Sequence, residues 1–163
     1  MEQRGVVLGF SGGIDSCASA RWLTERGYRV VALTIDTMHD DRLLSIAEQR
    51  AAELGIEWMS VDATKLFRKE IIDYFIDSYR RGHTPAPCTR CNPLIKWQTL
   101  LRVANSLGLK HIATGHYFTI EYRNGHHYVA KGADLAKDQS YYLWGLNEEI
   151  LSRAITPMGS AIK

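Results

Sequence analysis

Apolar positions along this chain change period again and again. Val6-Val7-Leu8 is a short continuous apolar run, which predicts a buried strand. A helical pattern follows from about Asp15 to Arg26 and stops at Gly27. Tyr28 to Ile35 is rich in β-branched and apolar residues and predicts a second strand. Leu44, Ala47, Ala51 and Leu54 recur at spacings of three and four, which predicts a helix over 41–54 ended by Gly55. Glu57 to Val61 reads as a third strand, and 64–81 as the longest amphipathic helix, with Phe67, Ile71, Tyr74 and Phe75 on one face.

From Gly82 the helical pattern breaks. Pro85, Pro87 and Pro93 bracket Cys88 and Cys91, which predicts a stiff loop. Pro93 is then expected to open a helix with Leu94, Trp97, Leu101 and Ala104 on its core face, closed by Gly108. His111 to Thr114 reads as a strand. Residues 117–122 and 127–130 read as a hairpin around Asn124-Gly125. Lys137-Asp138-Gln139-Ser140 is expected to lead into a helical tail ended by 156–159. The alternation of strand and helix predicts an α/β fold, a parallel twisted sheet with helices on both faces.

The chemistry enters at the first strand–helix junction, Gly9-Phe10-Ser11-Gly12-Gly13-Ile14-Asp15-Ser16. A strand, a Gly/Ser turn and a helix N-terminus make an anion site, because free N–H groups and the helix dipole both favour negative charge. No Lys follows the second glycine, so this is not a Walker A loop. In an open α/β sheet ligands sit beyond the carboxyl ends of the strands, so this turn, Ile35-Asp36 and Gly115-His116 should converge. Asp15 is placed to hold a phosphate-bound Mg²⁺, or simply to favour the helix dipole.

Cys88-x-x-Cys91 admits three readings. It is a reactive thiol with its pKa lowered by Arg90 or Lys96, an iron–sulfur site, or zinc held with His83 and one further ligand. Arg80, Arg81, His83, Arg90, Lys96 and Trp97 flank it and are candidates for a nucleic-acid backbone, or a solvated helix face. Tyr141, Tyr142 and Trp144 read as core aromatics, with base stacking as the alternative.

Composition adds limits. At 163 residues, 45 % hydrophobic and 23 % charged, the chain suits one ordinary globular domain. Net charge is +2, less basic than dedicated nucleic-acid binders. Three cysteines argue against a disulfide framework. No apolar run approaches the ~18 residues that span a membrane. Met1 to Gly5 does not read as a signal peptide, so a cytoplasmic location is expected.

Ser-Gly-Gly-x-Asp-Ser resembles the PP-loop of N-type ATP pyrophosphatases, which cleave ATP to AMP and pyrophosphate. This string, Thr84-Pro85-Ala86-Pro87-Cys88-Thr89-Arg90-Cys91-Asn92, Ala113-Thr114-Gly115-His116-Tyr117 and 137–143 occur in the order seen in tRNA-specific 2-thiouridylases, the MnmA/TrmU family. The resemblance spans nearly the whole chain. It implies the adenine nucleotide alpha hydrolase-like, Rossmann-like PP-loop fold, with ATP, Mg²⁺, tRNA and a sulfur-donor protein. It implies adenylation of the 2-carbonyl oxygen of the tRNA wobble uridine, then displacement of AMP by sulfur.

By that resemblance Cys91 matches the nucleophile. Gly9, Phe10, Ser11, Gly12, Gly13, Ile14, Asp15 and Ser16 match the nucleotide loop, with Gly115 and Ile35 as further ATP contacts. Ile35 stands where the family has Met. Ala86, Pro87 and Cys88 match the stretch that meets the target base, where many members have Asn-Pro-Asp. Its extra thiol is similar to the C-x-x-C subset, for which an iron–sulfur cluster at Cys88 and Cys91 is implied. His116, Lys137, Asp138 and Gln139 match tRNA-contacting positions. The family's central domain, C-terminal β-barrel and persulfide-carrying cysteine match nothing within 1–163. Two alternatives stand beside this reading: another adenylated substrate, or an ATP- and metal-binding domain inactive alone.

Overall fold

A computed structural model describes residues 4–163; the expectation about a signal peptide rests partly on residues 1–3, outside the described residues. Five strands form one parallel sheet in the order β3-β2-β1-β4-β7: β1 (Gly5–Gly9), β2 (Arg29–Asp36), β3 (Glu57–Asp62), β4 (His111–Thr114) and β7 (Ala154–Ile155). The central strands β1, β2 and β4 are buried on both faces, as a parallel sheet requires, while β3 at the edge is partly exposed. Alternation along them sorts the core into two layers. Val6, Leu8, Val30 and Ala32 pack with Ala20 and Leu23 of α1 (Ile14–Glu25) and Ala47 and Ala51 of α2 (Asp41–Glu53). Val7, Val31 and Leu33 face the other way, onto Trp97, Leu100 and Ala104 of α6 (Trp97–Ser106) and Ile150 of α7 (Glu148–Arg153).

The hairpin β5 (Phe118–Arg123) and β6 (His126–Lys131) turns at Asn124-Gly125 as expected and packs through Phe118, Ile120 and Val129 onto this second layer. Phe118 is fully buried and meets Trp97 edge-on at 5.9 Å and 89°. Among the described residues no helix is long and apolar enough to cross a membrane.

Two helices depart from their expected phase. The 64–80 helix consists of α3 (Thr64–Phe67), a π segment Arg68–Ile72, and α4 (Asp73–Arg80). The 87–106 helix consists of α5 (Pro87–Cys91), a π segment Asn92–Lys96, and α6. A π turn inserts one residue and rotates later side chains by about 100°. Phe75 is therefore exposed, and Ile95 rather than Leu94 enters the core. Pro93 explains the second distortion. It lies inside the helix rather than opening it, and it lacks the N–H that the ladder needs. Asn92 Nδ2 donates to the Cys88 carbonyl instead, at 2.9 Å.

Pro87, not Pro93, begins this helix, so both cysteines lie within it and not in a loop. The expected helical tail is also mostly turn: a 3₁₀ turn at Ser140–Tyr142, then α7 and β7. Replacing Phe118 by Ala removes the ring that joins hairpin to sheet. It is expected to cost about 3–5 kcal/mol, measured by urea unfolding.

Candidate functional site

β1 lies between β2 and β4, so chain connections leave it in opposite directions and open a crevice at its carboxyl end. Gly9 and Thr114 are register partners there. Phe10 N–H donates to the Leu33 carbonyl at 2.8 Å, and Thr34 Oγ1 donates to the Phe10 carbonyl at 2.8 Å, fastening the turn to β2. Gly12 takes φ +73°, and a Cβ there would lie 3.1 Å from Ala47 Cα of α2. Only glycine follows that path without strain. Ser16 Oγ donates to the Gly13 carbonyl at 2.9 Å, and Gly13 N–H donates to Ser11 Oγ at 3.3 Å. Gly13 caps α1 without a side-chain hydrogen bond, leaving the first-turn N–H groups for a ligand.

The crevice is a cleft of about 320 Å³. Its lining includes Gly9, Phe10, Ser11, Asp15, Ser16, Ile35, Gly115 and His116, together with Leu43, Lys96, Leu100 and Gln139. The three strand-end turns thus converge as expected. Gly12, Gly13 and Ile14 shape the loop beside it, with Ile14 pointing to solvent. Gly115 sits against α1: a Cβ would lie 3.1 Å from the Asp15 carbonyl carbon and 3.2 Å from Ser16 N. Tyr117, which sequence reasoning missed as a site residue, donates its hydroxyl to Asp15 Oδ1 at 2.9 Å. Its place directly after Gly115-His116 was the available signal.

Asp15 also accepts from Lys163 Nζ at 2.9 and 3.0 Å. Burial pushes its carboxyl up, but the hydrogen bonds from Lys163 and Tyr117 outweigh this and hold it below the usual range. Burial, reinforced by Asp15, pushes the Tyr117 hydroxyl up to about 12. His116 bonds through Nδ1 to Thr114 Oγ1 at 2.8 Å and stacks on Trp97. Burial and Lys96 push its pKa down to about 4, so the ring is neutral at pH 7.

Neither cysteine lines the cleft. Cys91 is buried with Ala63, Ile71 and Ile95, and Ile35 packs on that cluster while also lining the cleft. Ile35 therefore lies at the boundary of the two compartments. Burial pushes the Cys91 thiol up and Lys96 opposes this only in part. The expected lowered pKa is thus corrected: the resting group is a thiol. Arg90 is not its cation. That guanidinium donates to the Glu70 carbonyl at 2.8 Å and carboxylate at 2.9 Å. Cys88 is exposed, one turn earlier. Ala86 caps that helix and Pro87 is its first residue, both at the surface end.

Among the described residues no three His, Cys, Asp or Glu side chains gather as metal ligands. One exposed and one buried thiol without a third donor are an incomplete ligand set for zinc or an iron–sulfur cluster within the described residues.

Asp138 works inside its loop, accepting from Gly132 N–H at 2.8 Å and Ser140 Oγ at 2.7 Å. Gln139 lines the cleft and clasps Tyr117 through Gln139 N–H to the Tyr117 carbonyl at 2.8 Å and Tyr117 N–H to Gln139 Oε1 at 3.1 Å. Lys137 is exposed and contributes positive field at Asp15. Of the flanking candidates, Trp97 is core and Arg81 pairs with Asp77 at 2.7 Å. Tyr141 and Trp144 are exposed rather than core, 59 % and 73 % accessible.

A family model described as "tRNA methyl transferase HUP domain" matches residues 4–163. The tRNA-specific 2-thiouridylase MnmA 1 of Bacteroides fragilis is 45 % identical over 161 residues, 97 % of this chain and 44 % of that protein. The tRNA-specific 2-thiouridylase MnmA of Helicobacter hepaticus is 41 % identical over 163 residues, 97 % and 47 % respectively. The chain thus spans less than half the length of these curated relatives. A 4-thiouridine synthetase solved with RNA and bound ATP superposes with a TM-score of 0.61 at 17 % identity, over 94 % of this chain and 36 % of that one. A protein described as a predicted subunit of tRNA methyltransferase from Methanocaldococcus jannaschii gives 0.57 at 20 %, over 95 % and 68 %. These two likenesses show a shared fold.

Two outcomes are expected. With a thiol-alkylating reagent at pH 7, Cys88 labels fast and Cys91 only on unfolding, as read by peptide mass spectrometry. His116 binds its proton more weakly when folded, so its contribution to stability is complete above pH 6.5 and is lost as pH falls towards 4. At pH ~4.5 that loss is about 2 kcal/mol. In urea titrations, His116→Gln should flatten this part of the pH dependence.

Proposed function

The chain belongs to the tRNA methyl transferase HUP domain family, and on that premise we propose that it is the ATP-binding catalytic domain of a tRNA 2-thiouridylase. The carrying observation is the cleft at the β1–β4 switch point, with an uncapped helix N-terminus at one end and, in its wall, Ile35, which also packs on the Cys91 cluster. The relatives' printed names specify 2-thiolation, and a nucleotide cleft beside a thiol is what that reaction requires.

In this reading the first-turn N–H groups of α1, with Ser11 and Ser16, receive the phosphates. Ile35, Leu43 and Leu100 offer apolar surface to the adenine. Gly115 lets β4 approach the loop without a side chain. Asp15, ionised at the cleft, fits a Mg²⁺ that would offset phosphate charge. The uridine O2 attacks the α-phosphorus and the α–β bridging bond breaks, so its electron pair leaves on pyrophosphate. Oxygen at C2 thereby becomes AMP, a competent leaving group. N3 loses its proton as O2 is adenylated. The outer sulfur of a persulfide on the donor protein then bonds to C2 as the C–O bond breaks and AMP leaves. The Cys91 thiolate attacks the inner sulfur, breaking the S–S bond, so that sulfur stays on C2 and N3 regains a proton. A Cys91–donor disulfide forms, for a thiol reductant to reopen.

Cys91 serves as the thiol on this path. Because burial keeps it protonated, it must be uncovered or meet a base before it attacks, which protects it from oxidation at rest. Lys96, between cleft and thiol, favours the thiolate once it forms. Ala86, Pro87 and Cys88 face the incoming base from the surface end of the same helix. His116, Lys137 and Gln139 border the entrance as tRNA contacts, and Asp138 shapes their loop. A sulfur-donor protein supplies the sulfur, and the setting is the cytoplasm.

The test combines tRNA, ATP, Mg²⁺ and a sulfur donor, reading pyrophosphate and 2-thiouridine by mass spectrometry. Cys91→Ser should abolish 2-thiouridine while leaving tRNA-stimulated pyrophosphate release measurable. Gly115→Ala should weaken ATP binding by about tenfold or more, since its methyl displaces the phosphate-binding turn. If tRNA never stimulates pyrophosphate release, also in a version extended past Lys163, thiouridylation is excluded. Activity indifferent to Cys91→Ser would point to another adenylated substrate.

A further inference from the structure

Once Cys91 has attacked the persulfide, the donor protein stays bound to it through a disulfide. The helix that carries Cys91 holds a second thiol one turn away. We propose that Cys88 is the resolving thiol: it attacks the Cys91 sulfur, frees the donor and leaves a Cys88–Cys91 disulfide. This rests on the reading of Cys91 as the thiol of the sulfur-transfer path.

Cys88 and Cys91 both belong to α5, three residues apart, so their side chains share one face of the helix. Cys88 is exposed, whereas Cys91 is buried at 7 % accessible. Negative charge on Cys88 opposes ionisation of Cys91, so the two sulfurs are neighbours. The third cysteine belongs elsewhere. Cys17 Sγ donates to the Gly12 carbonyl at 3.5 Å and packs on the α1–α2 side of the sheet.

Cβ atoms three apart in a helix are about 5–6 Å from each other and a disulfide needs about 4 Å, so this turn has to tighten. The 87–96 segment is loose enough to allow it. Ala86 caps the helix without a side-chain hydrogen bond. Pro93 brings no N–H, and the π segment Asn92–Lys96 widens the following turn. Asn92 Nδ2 holds the Cys88 carbonyl instead, at 2.9 Å. Asn92 Oδ1 is buried and accepts no hydrogen bond among the described residues. An unpaired buried acceptor raises the free energy of the resting arrangement and lowers the cost of leaving it.

Access decides which thiol opens the mixed disulfide. Cys91 packs with Ala63, Ile71 and Ile95, so a thiol from solvent reaches it poorly. Cys88 is tethered beside it, and a tethered reactant acts at an effective concentration far above that of a free thiol. Cys88 gives its proton to water, and its thiolate bonds to the Cys91 sulfur as the Cys91–donor S–S bond breaks. The electron pair leaves on the donor sulfur, which takes up a proton. A soluble dithiol then exchanges with the Cys88–Cys91 disulfide, is oxidised to its own disulfide and returns both thiols.

Two measurements test this. In the first, wild type and Cys88→Ser turn over tRNA, MgATP and persulfidated donor without free reductant and are quenched with an alkylating reagent. Per 2-thiouridine formed, Cys88→Ser should carry at least about tenfold more donor in covalent linkage than wild type, as read on non-reducing gels. Equal retention in the two overturns the proposal, because something other than Cys88 then frees the donor. In the second, wild type alone is equilibrated in a glutathione redox buffer at mildly alkaline pH. Trypsin cuts after Arg90 and Lys96, so the internal disulfide appears as peptide 82–90 joined to peptide 91–96. That crosslink is the expected main oxidised species. Glutathione on Cys88 with Cys91 still a free thiol would sink the proposal even where thiolation proceeds. Wild type that forms no 2-thiouridine overturns the sulfur-transfer reading of Cys91 itself, whatever the peptides show.

Discussion

Gly115 touching the first turn of α1 is the contact on which the site depends. β1 and β4 run parallel, and their next residues must share the space at the sheet's carboxyl edge. With only hydrogen at the Gly115 Cα, the Asp15–Ser16 backbone can lie against the end of β4. A single methyl would meet the loop backbone rather than a flexible side chain, so the whole turn would have to move. That closeness brings the α1 N-terminus, Thr114, His116 and Gln139 around one cleft.

Charge is arranged around this contact in two compartments. On the cleft side Asp15 stays ionised between Lys163 and Tyr117, while His116 is neutral because burial and Lys96 oppose its proton. Beyond Ile35, Cys91 sits in an apolar cluster as an unreactive thiol. The cleft and the thiol are adjacent, and neither Cys91 nor Cys88 lines the cleft. Joining them would take movement of the 87–96 segment, where a proline and a π turn already interrupt the helical ladder.

The same interruptions explain where periodicity misleads. Four of the five sheet strands, their order in sequence and the hairpin are legible because their signals are local: apolar runs, helix-ending glycines and Asn124-Gly125; the two-residue β7 carries no such signal. Leu94 and Phe75 carry the right spacing for a core face, yet Leu94 lies within one π segment and Phe75 follows the other, and both are turned outward. Pro93 reads locally as a first helical residue. It sits mid-helix because Asn92 supplies the missing hydrogen bond, a compensation no spacing rule contains.

By itself, the order of residues determined the strand–turn–helix junction at 9–16, the α/β alternation, and which turns would meet beyond the sheet. These follow from backbone chemistry and from the rule that parallel strands present ligands at their carboxyl ends. Only tertiary structure decided that Arg90 turns to Glu70, that Cys91 is buried and Cys88 exposed, and that Tyr117 and Lys163 close on Asp15. The physical reason is that charge state and reactivity are set by what lies within a few ångströms. Those neighbours come from positions 20 to 148 residues apart, joined only when the chain folds.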